Sequence, residues 1–227
     1  MICLTDKLPR VMAESVALAR IKCTFAAYGN YPKIALFWVQ TNEDGRVTAI
    51  ISLMERTLNL YAENLNEELE LFVKSQDFDL VFADKEIAEG LNLKGETFCA
   101  LKAVTNGEKG NKNDINSREI YEIFKEDFSL NQLEFIADLS HRLRHDCAFC
   151  VKSESGAAVV QTAENLCLIT GIAVDKTVRK KGEGSKILNE IKQNFKGEIF
   201  VYCKMEVLPF YLKNSFEKIG FCVLGRI

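Results

Sequence analysis

Residues 169–188 read Ile169-Thr170-Gly171-Ile172-Ala173-Val174-Asp175-Lys176-Thr177-Val178-Arg179-Lys180-Lys181-Gly182-Glu183-Gly184-Ser185-Lys186-Ile187-Leu188. The order is apolar strand, short polar break, basic glycine turn, amphipathic helix. A glycine turn that opens a helix presents unpaired backbone N–H groups and the positive end of the helix dipole. Such a turn is an anion site, most often for phosphate. Lys176, Arg179, Lys180 and Lys181 surround it with positive charge. The competing reading is a solvated turn with surface lysines.

Two other phosphate motifs do not fit. A dinucleotide fingerprint needs a third glycine where Ile187 stands. A Walker A loop needs Gly-Lys-Ser/Thr, and the order here is Gly184-Ser185-Lys186.

The 227 residues are long for one small domain and comfortable for two. A net charge of −3 gives no basic field for nucleic acid. No basic leader followed by an apolar core opens the sequence, and no apolar run reaches the length of a membrane span. The expected setting is therefore cytoplasmic, where the eight cysteines stay reduced and behave mostly as small buried hydrophobes.

Upstream, residues 9–28 read as a helix, 34–40 and 47–54 as a hairpin across Asn42-Glu43-Asp44-Gly45, and 57–62 as a third strand. Asn64 with Glu67 has the form of a capping box before a helix carrying Leu65, Leu69, Phe72 and Val73. A strand at 78–83 and a short helix at 85–91 follow. A strand at 96–104 leads into a polar loop at 106–116. Ile120, Tyr121, Ile123 and Phe124 suggest a helix. Ser129 with Gln132 offers another capping box, for a helix whose buried face would be Leu133, Ile136, Ala137, Ser140 and Leu143. A hairpin at 147–161, a strand at 166–174, the glycine turn, and a helix lined by Ile187, Leu188, Ile191 and Phe195 come next. A strand at 198–203, a helix at 206–214 and a strand at 216–224 finish the reading. The two parts share the order hairpin, strand, helix, strand, helix, which suggests a structural duplication.

The pattern V-x-x-x-x-R-x-x-G-x-G, from Val174 to Gly184, resembles the acetyl-CoA signature of the GCN5-related N-acetyltransferases (GNAT). Residues 168–174 resemble that family's fourth strand. Phe210-Tyr211-Leu212-Lys213-Asn214-Ser215-Phe216 resembles its closing F-Y-x-K-x-G-F motif, with Ser215 at the usual glycine. The resemblance covers roughly residues 95–227.

It implies an α+β fold: a mixed, mostly antiparallel sheet flanked by helices. Residues 94–227 would be the catalytic domain and 1–93 a smaller αβ domain, itself a degenerate GNAT-like unit. It implies acetyl-CoA as co-substrate and a small-molecule or peptide amine as acceptor, attacked directly in a ternary complex. The partner reading includes neither nucleic acid nor membrane, and allows a monomer or homodimer. Backbone groups of Ile172, Ala173 and Val174 would pair with the pantetheine arm, as a splayed strand allows. Backbone N–H groups of Lys181, Gly182, Glu183, Gly184 and Ser185 would hold the diphosphate, with Arg179 and Lys180 adding charge. Tyr211 stands where the family keeps its general acid, and Glu164 where a carboxylate often acts through water. The competing readings are a packed aromatic for Tyr211 and a turn residue for Glu164. A non-catalytic acyl-CoA-binding module is the rival for the whole chain.

Asp175 reads as a cap, and His141 and His145 as exposed residues at a helix end. Cys147-x-x-Cys150 lacks the further ligands that zinc needs, so no metal is expected. Cys203 ends a strand near the thioester position, where packing is the simpler role. Asn64-Leu65-Asn66-Glu67-Glu68, the counterpart turn in the first part, is acidic and glycine-poor, so it would repel a diphosphate. Relatives continue into one more strand; either it is absent here, or the first part covers the exposed edge.

Overall fold

The computed structural model describes residues 1–29, 31–108 and 115–227. Most of the polar loop expected at 106–116 lies outside them. The first half runs β1 (Ile2–Leu4), α1 (Val16–Tyr28), β2 (Ala35–Thr41), β3 (Val47–Met54), β4 (Thr57–Ala62), α2 (Glu67–Ser75), β5 (Leu80–Asp84), α3 (Lys85–Gly90) and β6 (Lys94–Asn106). The second runs α4 (Ser117–Phe124), α5 (Gln132–Arg144), β7 (Ala148–Ser153), β8 (Gly156–Ala163), β9 (Leu166–Val174), α6 (Glu183–Gln193), β10 (Lys196–Cys203), α7 (Leu208–Lys213) and β11 (Glu217–Arg226). Short 3₁₀ turns at Lys176–Val178 and Met205–Val207 precede α6 and α7.

Several helix starts differ from expectation, because a better-placed side chain captures the first free N–H groups. Ser15 caps α1, accepting from Leu18 N at 3.1 Å, so the helix begins seven residues after Pro9. Asn66 rather than Asn64 caps α2, and Asn131 rather than Ser129 caps α5. On α5 the buried residues are Leu139 and Arg142, while Leu133 is exposed. The helix expected at 206–214 is a 3₁₀ turn followed by α7, with Pro209 in its first turn.

Among the described residues eleven strands form one sheet in the order β1-β2-β3-β4-β5-β11-β6-β10-β9-β8-β7. Most neighbours are antiparallel; β4–β5 and β9–β10 are the parallel pairs. At the centre, β6 and β11 lie antiparallel, with Cys99 opposite Phe221 and Phe98 opposite Cys222. Outward from that pair the order mirrors itself. β5 and β10 flank it, then β4 and β9, β3 and β8, β2 and β7. Each half contributes its last strand to the gap between the other half's last two, so β11 is covered on both edges. The topological repeat therefore divides the chain after β6, whereas the sequence reading divided it at 93/94.

Side chains alternate across the sheet. One face packs against α1, α4 and α5: Phe82, Phe98, Ala100, Leu168, Phe200 and Cys222 gather under Val16, Ala17, Ala19 and Cys23. The other packs against α2 and α3, and against α6 and α7, where Ile187, Leu188 and Ile191 cover Val160, Cys167, Ile169, Ile199 and Val201. Burying each such aliphatic side chain contributes roughly 1.5–3 kcal/mol. Helix α1 touches β4 and β5 as well as β8, β9 and β10, and so spans both halves. Among the described residues, no helix is long and apolar enough to cross a membrane.

Candidate active site

The site is built where two parallel strands part. β9 and β10 pair from Leu166–Glu198 to Ile169–Val201 and no further. On its other side β9 stays paired with β8 as far as Val174, but the register slips between Val159–Gly171 and Val160–Ile169. Thr170 is the unmatched residue, and its hydroxyl donates to the Val159 carbonyl at 3.3 Å. A bulge of this kind bends the strand and sharpens its twist. Here it coincides with the last β9–β10 pair, so residues 170–174 turn away from β10 and leave polar groups with no strand opposite. Ile172 and Val174 pack on the α6 side of the sheet, while Ala173 is buried on the other.

The strand leads into the glycine turn. Asp175 accepts from both the N–H and the hydroxyl of Thr177 at 2.7 Å, and these bonds hold its carboxyl below the ordinary range. Lys180 and Gly182 take left-handed conformations, φ +63° and +92°. Helix α6 then starts without a side-chain cap. Every other helix of eight residues or more has one: Ser15, Asn66, Asn116 and Asn131. The first bond into α6 is Lys186 N to Gly182 O, and open space surrounds the position where Gly182 would carry a Cβ. The N–H groups at 182–185 are thus free at an accessible, uncapped helix start, whereas that of Lys181, also expected to face the diphosphate, donates to the Val178 carbonyl at 3.4 Å. Gly184 is needed for a different reason. A Cβ there would come within 3.1 Å of the Phe210 ring, tying α6 to α7.

The charged side chains of the turn divide unequally. Arg179 donates from Nη2 to both carboxylate oxygens of Asp127, at 2.6 and 2.5 Å, and from Nε to the Val174 carbonyl at 2.9 Å. It is a brace between β9 and the α4–α5 connection rather than a free cation. Lys181 Nζ donates to Thr177 O, and Lys186 pairs with Glu183. The Glu183 carboxylate turns to Ser153, Ser155 and Lys186, whose hydrogen bonds and charge hold its carboxyl low, so its backbone faces the turn without its charge. Lys180 is exposed and without a partner among the described residues. Ser185 is half-buried on the first turn of α6.

Tyr211 lies on α7, 6 % exposed, with its ring 5.0 Å from Phe210 and 5.4 Å from Phe216. Its hydroxyl bonds to no described residue. No side-chain polar atom among the described residues is both fully buried and unpartnered, so the hydroxyl is not wholly sealed from solvent. Burial, with a smaller contribution from Cys203, pushes its pKa far up, and the group stays neutral through the physiological range. Cys203 itself is pushed up to about 12 by burial, which argues for packing over nucleophilicity.

Other expected residues fall elsewhere. Glu164 is exposed, in the β8–β9 turn at φ +46°. It sits at the closed end of the β9–β10 pair, about 16–20 Å along the strand from where the strands part. His145 is exposed. His141 is half-buried: its ring stacks on Tyr28 at 4.6 Å, with Nε2 2.9 Å from Ala27 O. Cys147 precedes β7 and packs under α1, while Cys150 packs under α4 and α5. Among the described residues no three His, Cys, Asp or Glu side chains gather as a metal site.

One group was missed by the sequence reading. Tyr202, the first residue of β10 past its last pairing with β9, points to the face opposite Tyr211. Its hydroxyl accepts from Arg20 Nη1 at 2.9 Å, while Arg20 Nε donates to Asn59 Oδ1 at 2.9 Å. Arg20 and Tyr202 lie 182 positions apart, and no local pattern marks the pair.

Among the described residues the first half has no equivalent opening or uncapped glycine turn. β3 and β4 pair without a register shift, and β4 pairs with β5 over four of its six residues. Helix α2 is capped by Asn66 and begins with Glu67, Glu68 and Glu70.

No family model and no curated protein matches the sequence. Solved structures do match in shape. A GCN5-related N-acetyltransferase from Sphaerobacter thermophilus superposes with a TM-score of 0.56 at 12 % identity, covering 98 % of this chain and 94 % of that one. One from Kribbella flavida gives 0.59 at 9 %, with 94 % of each chain covered. A tandem GNAT protein from the clavulanic acid biosynthesis pathway gives 0.52 at 11 %, covering 88 % and 86 %. The fold is the GNAT fold, extended over the whole chain.

Proposed function

We propose that this chain is an acyltransferase that moves an acyl group, acetyl in the simplest case, from acyl-CoA to an amine. The observation that carries the reading is one continuous feature: a strand unpaired from its neighbour at Thr170, running into the uncapped start of α6. The unpaired backbone of residues 172–174 suits an extended amide-bearing arm. The free N–H groups at 182–185 suit a diphosphate. The fold neighbours named above support acyl transfer as the chemistry.

In the reaction an amine nitrogen bonds to the thioester carbon, the carbon–sulfur bond breaks, and the nitrogen gives up a proton. In this reading Tyr211 protonates the departing sulfur. Its neutral hydroxyl carries a proton and has no competing partner among the described residues, and α7 holds it near Cys203 at the end of β10. The amine proton leaves to water at the open face of the sheet, since Glu164 stands too far along β9 to receive it. Arg179 contributes by holding the end of β9 to Asp127 rather than by touching phosphate.

The test is thermal unfolding with and without acetyl-CoA, followed by CoA release over an amine panel. Ligand at a hundred times its dissociation constant stabilises a protein by about 2.7 kcal/mol. No shift in the midpoint would overturn the reading. A shift with no CoA release from any amine would leave an acyl-CoA-binding module.

A further inference from the structure

The thioester end of the opening is closed on one face. Cys203, Tyr211, Ile187 and Leu188 are all at most 8 % exposed there, under α6 and α7. On the other face half-buried Tyr202 stands beside the parting of the strands and Arg20 of α1 holds its hydroxyl, so an acceptor approaching from that face meets this pair.

Arg20 is a half-buried guanidinium. It stacks 4.6 Å from the Phe82 ring centroid and 5.8 Å from that of Tyr202. Two of its five N–H groups are used, on Asn59 and Tyr202; Asn59 is fixed in turn by its bond to Ser52 Oγ at 3.2 Å. No carboxylate among the described residues lies within 4 Å of it. Of the other half-buried or buried cations nearby, Arg142 is paired with Asp138 and Lys102 with Glu14 and Glu198, while Lys22 donates to the Val11 carbonyl at 2.7 Å. Charges withdrawn from water are ordinarily paired. A guanidinium held by neutral groups on three sides, whose Nη2 bonds to no described residue and is not sealed from solvent, is instead a preformed receptor for an oxyanion. Its planar fork suits a carboxylate in particular.

We infer that the acceptor is an amine that also bears a carboxylate, and that Arg20 binds that carboxylate while the amine reaches the thioester. The assignment rests on the acyltransferase reading above. Tyr202 and Asn59 are positioning residues: they aim the guanidinium. The first half, which lacks an acyl-CoA site of its own, thereby supplies the acceptor specificity of the second.

The experiment compares CoA release from acetyl-CoA with free amino acids against the corresponding amino acid amides, in the full-length protein. The pairs differ only in the negative charge. A preference of at least tenfold in kcat/KM for the acids is expected, expressed in KM. Arg20→Met should bring the ratio towards one, and Arg20→Lys should leave an intermediate ratio because the charge remains without the fork. Equal or better use of the amides by the wild type overturns the inference and leaves acyl transfer standing. A preference for acids that survives Arg20→Met in folded protein removes Arg20 from the role. CoA release with no amine at all overturns the acyltransferase reading itself. The wild-type comparison decides the substrate class even if Arg20→Met fails to fold.

Discussion

A methyl group on Gly171 would sit 2.5 Å from Cε1 of Phe124. The ring of α4 therefore presses directly on the strand one residue past the bulge at Thr170. Phe124 is 3 % exposed and stacks on Phe128 at 5.1 Å, so it has nowhere to retreat. The absent side chain lets a helix hold β9 in the bent course that separates it from β10.

Gly171→Ala should accordingly destabilise the fold by about 1–3 kcal/mol, the usual cost of overpacking a filled core. Urea unfolding measures this. Unchanged stability would show that Phe124 yields and that the close approach is incidental.

Gly182→Asp is expected to abolish the thermal shift given by acetyl-CoA. It places a side chain at φ +92° and a negative charge beside the free N–H groups of α6. Because nothing lies within 4 Å of the new Cβ, the protein should still fold, as circular dichroism would report. Retained affinity by calorimetry would move the diphosphate elsewhere.

Tyr211→Phe should lower kcat by roughly 10²-fold while changing KM little, in line with the loss of a positioned acid. The hydroxyl has no partner among the described residues, so the unfolding midpoint should barely move. A variant with wild-type turnover would return Tyr211 to the role of a packed ring.

Asp84 gives a pH-dependent stability. Burial pushes its carboxyl up from 3.8 to about 6, opposed by the Ser15 hydroxyl, which donates to it at 2.6 Å. A carboxyl raised by folding favours the native state while protonated. That contribution is complete below pH 4 and disappears as the pH rises through 6. The gap corresponds to roughly 3 kcal/mol. Asp84→Asn should therefore gain on the wild type progressively between pH 4 and 7. Parallel stability curves for the two proteins would mean that the carboxyl ionises freely in the fold.

The sequence was most legible where chemistry is local. The strand at 166–174 and the turn from Arg179 to Gly184 stand where their spacing predicted them, and the helix bearing Tyr211 lies within its expected range, shortened at its start by a 3₁₀ turn. Caps were harder, since Asn64 and Asn66, or Ser129 and Asn131, are chemically equivalent candidates and only the incoming chain selects one. Gly171, inside an otherwise apolar strand, was a signal for the bulge that composition alone could not interpret. The bond from Arg179 to Asp127 and that from Arg20 to Tyr202 were not readable, because each depends on where a distant segment arrives. The exchange of β6 and β11 was hidden for the same reason: the order of elements repeats whether or not the closing strands change places.

That exchange means the chain carries its own partner. A two-fold arrangement that could otherwise require two identical molecules is written once, end to end, with the seam at β6 and β11. The seam needs both copies of the architecture but only one working opening. The first half is thus free to trade a glycine turn for the capped, acidic start of α2 and to lend α1 to its neighbour. Damage to either closing strand would unseat both halves together, and neither half can be expected to survive alone.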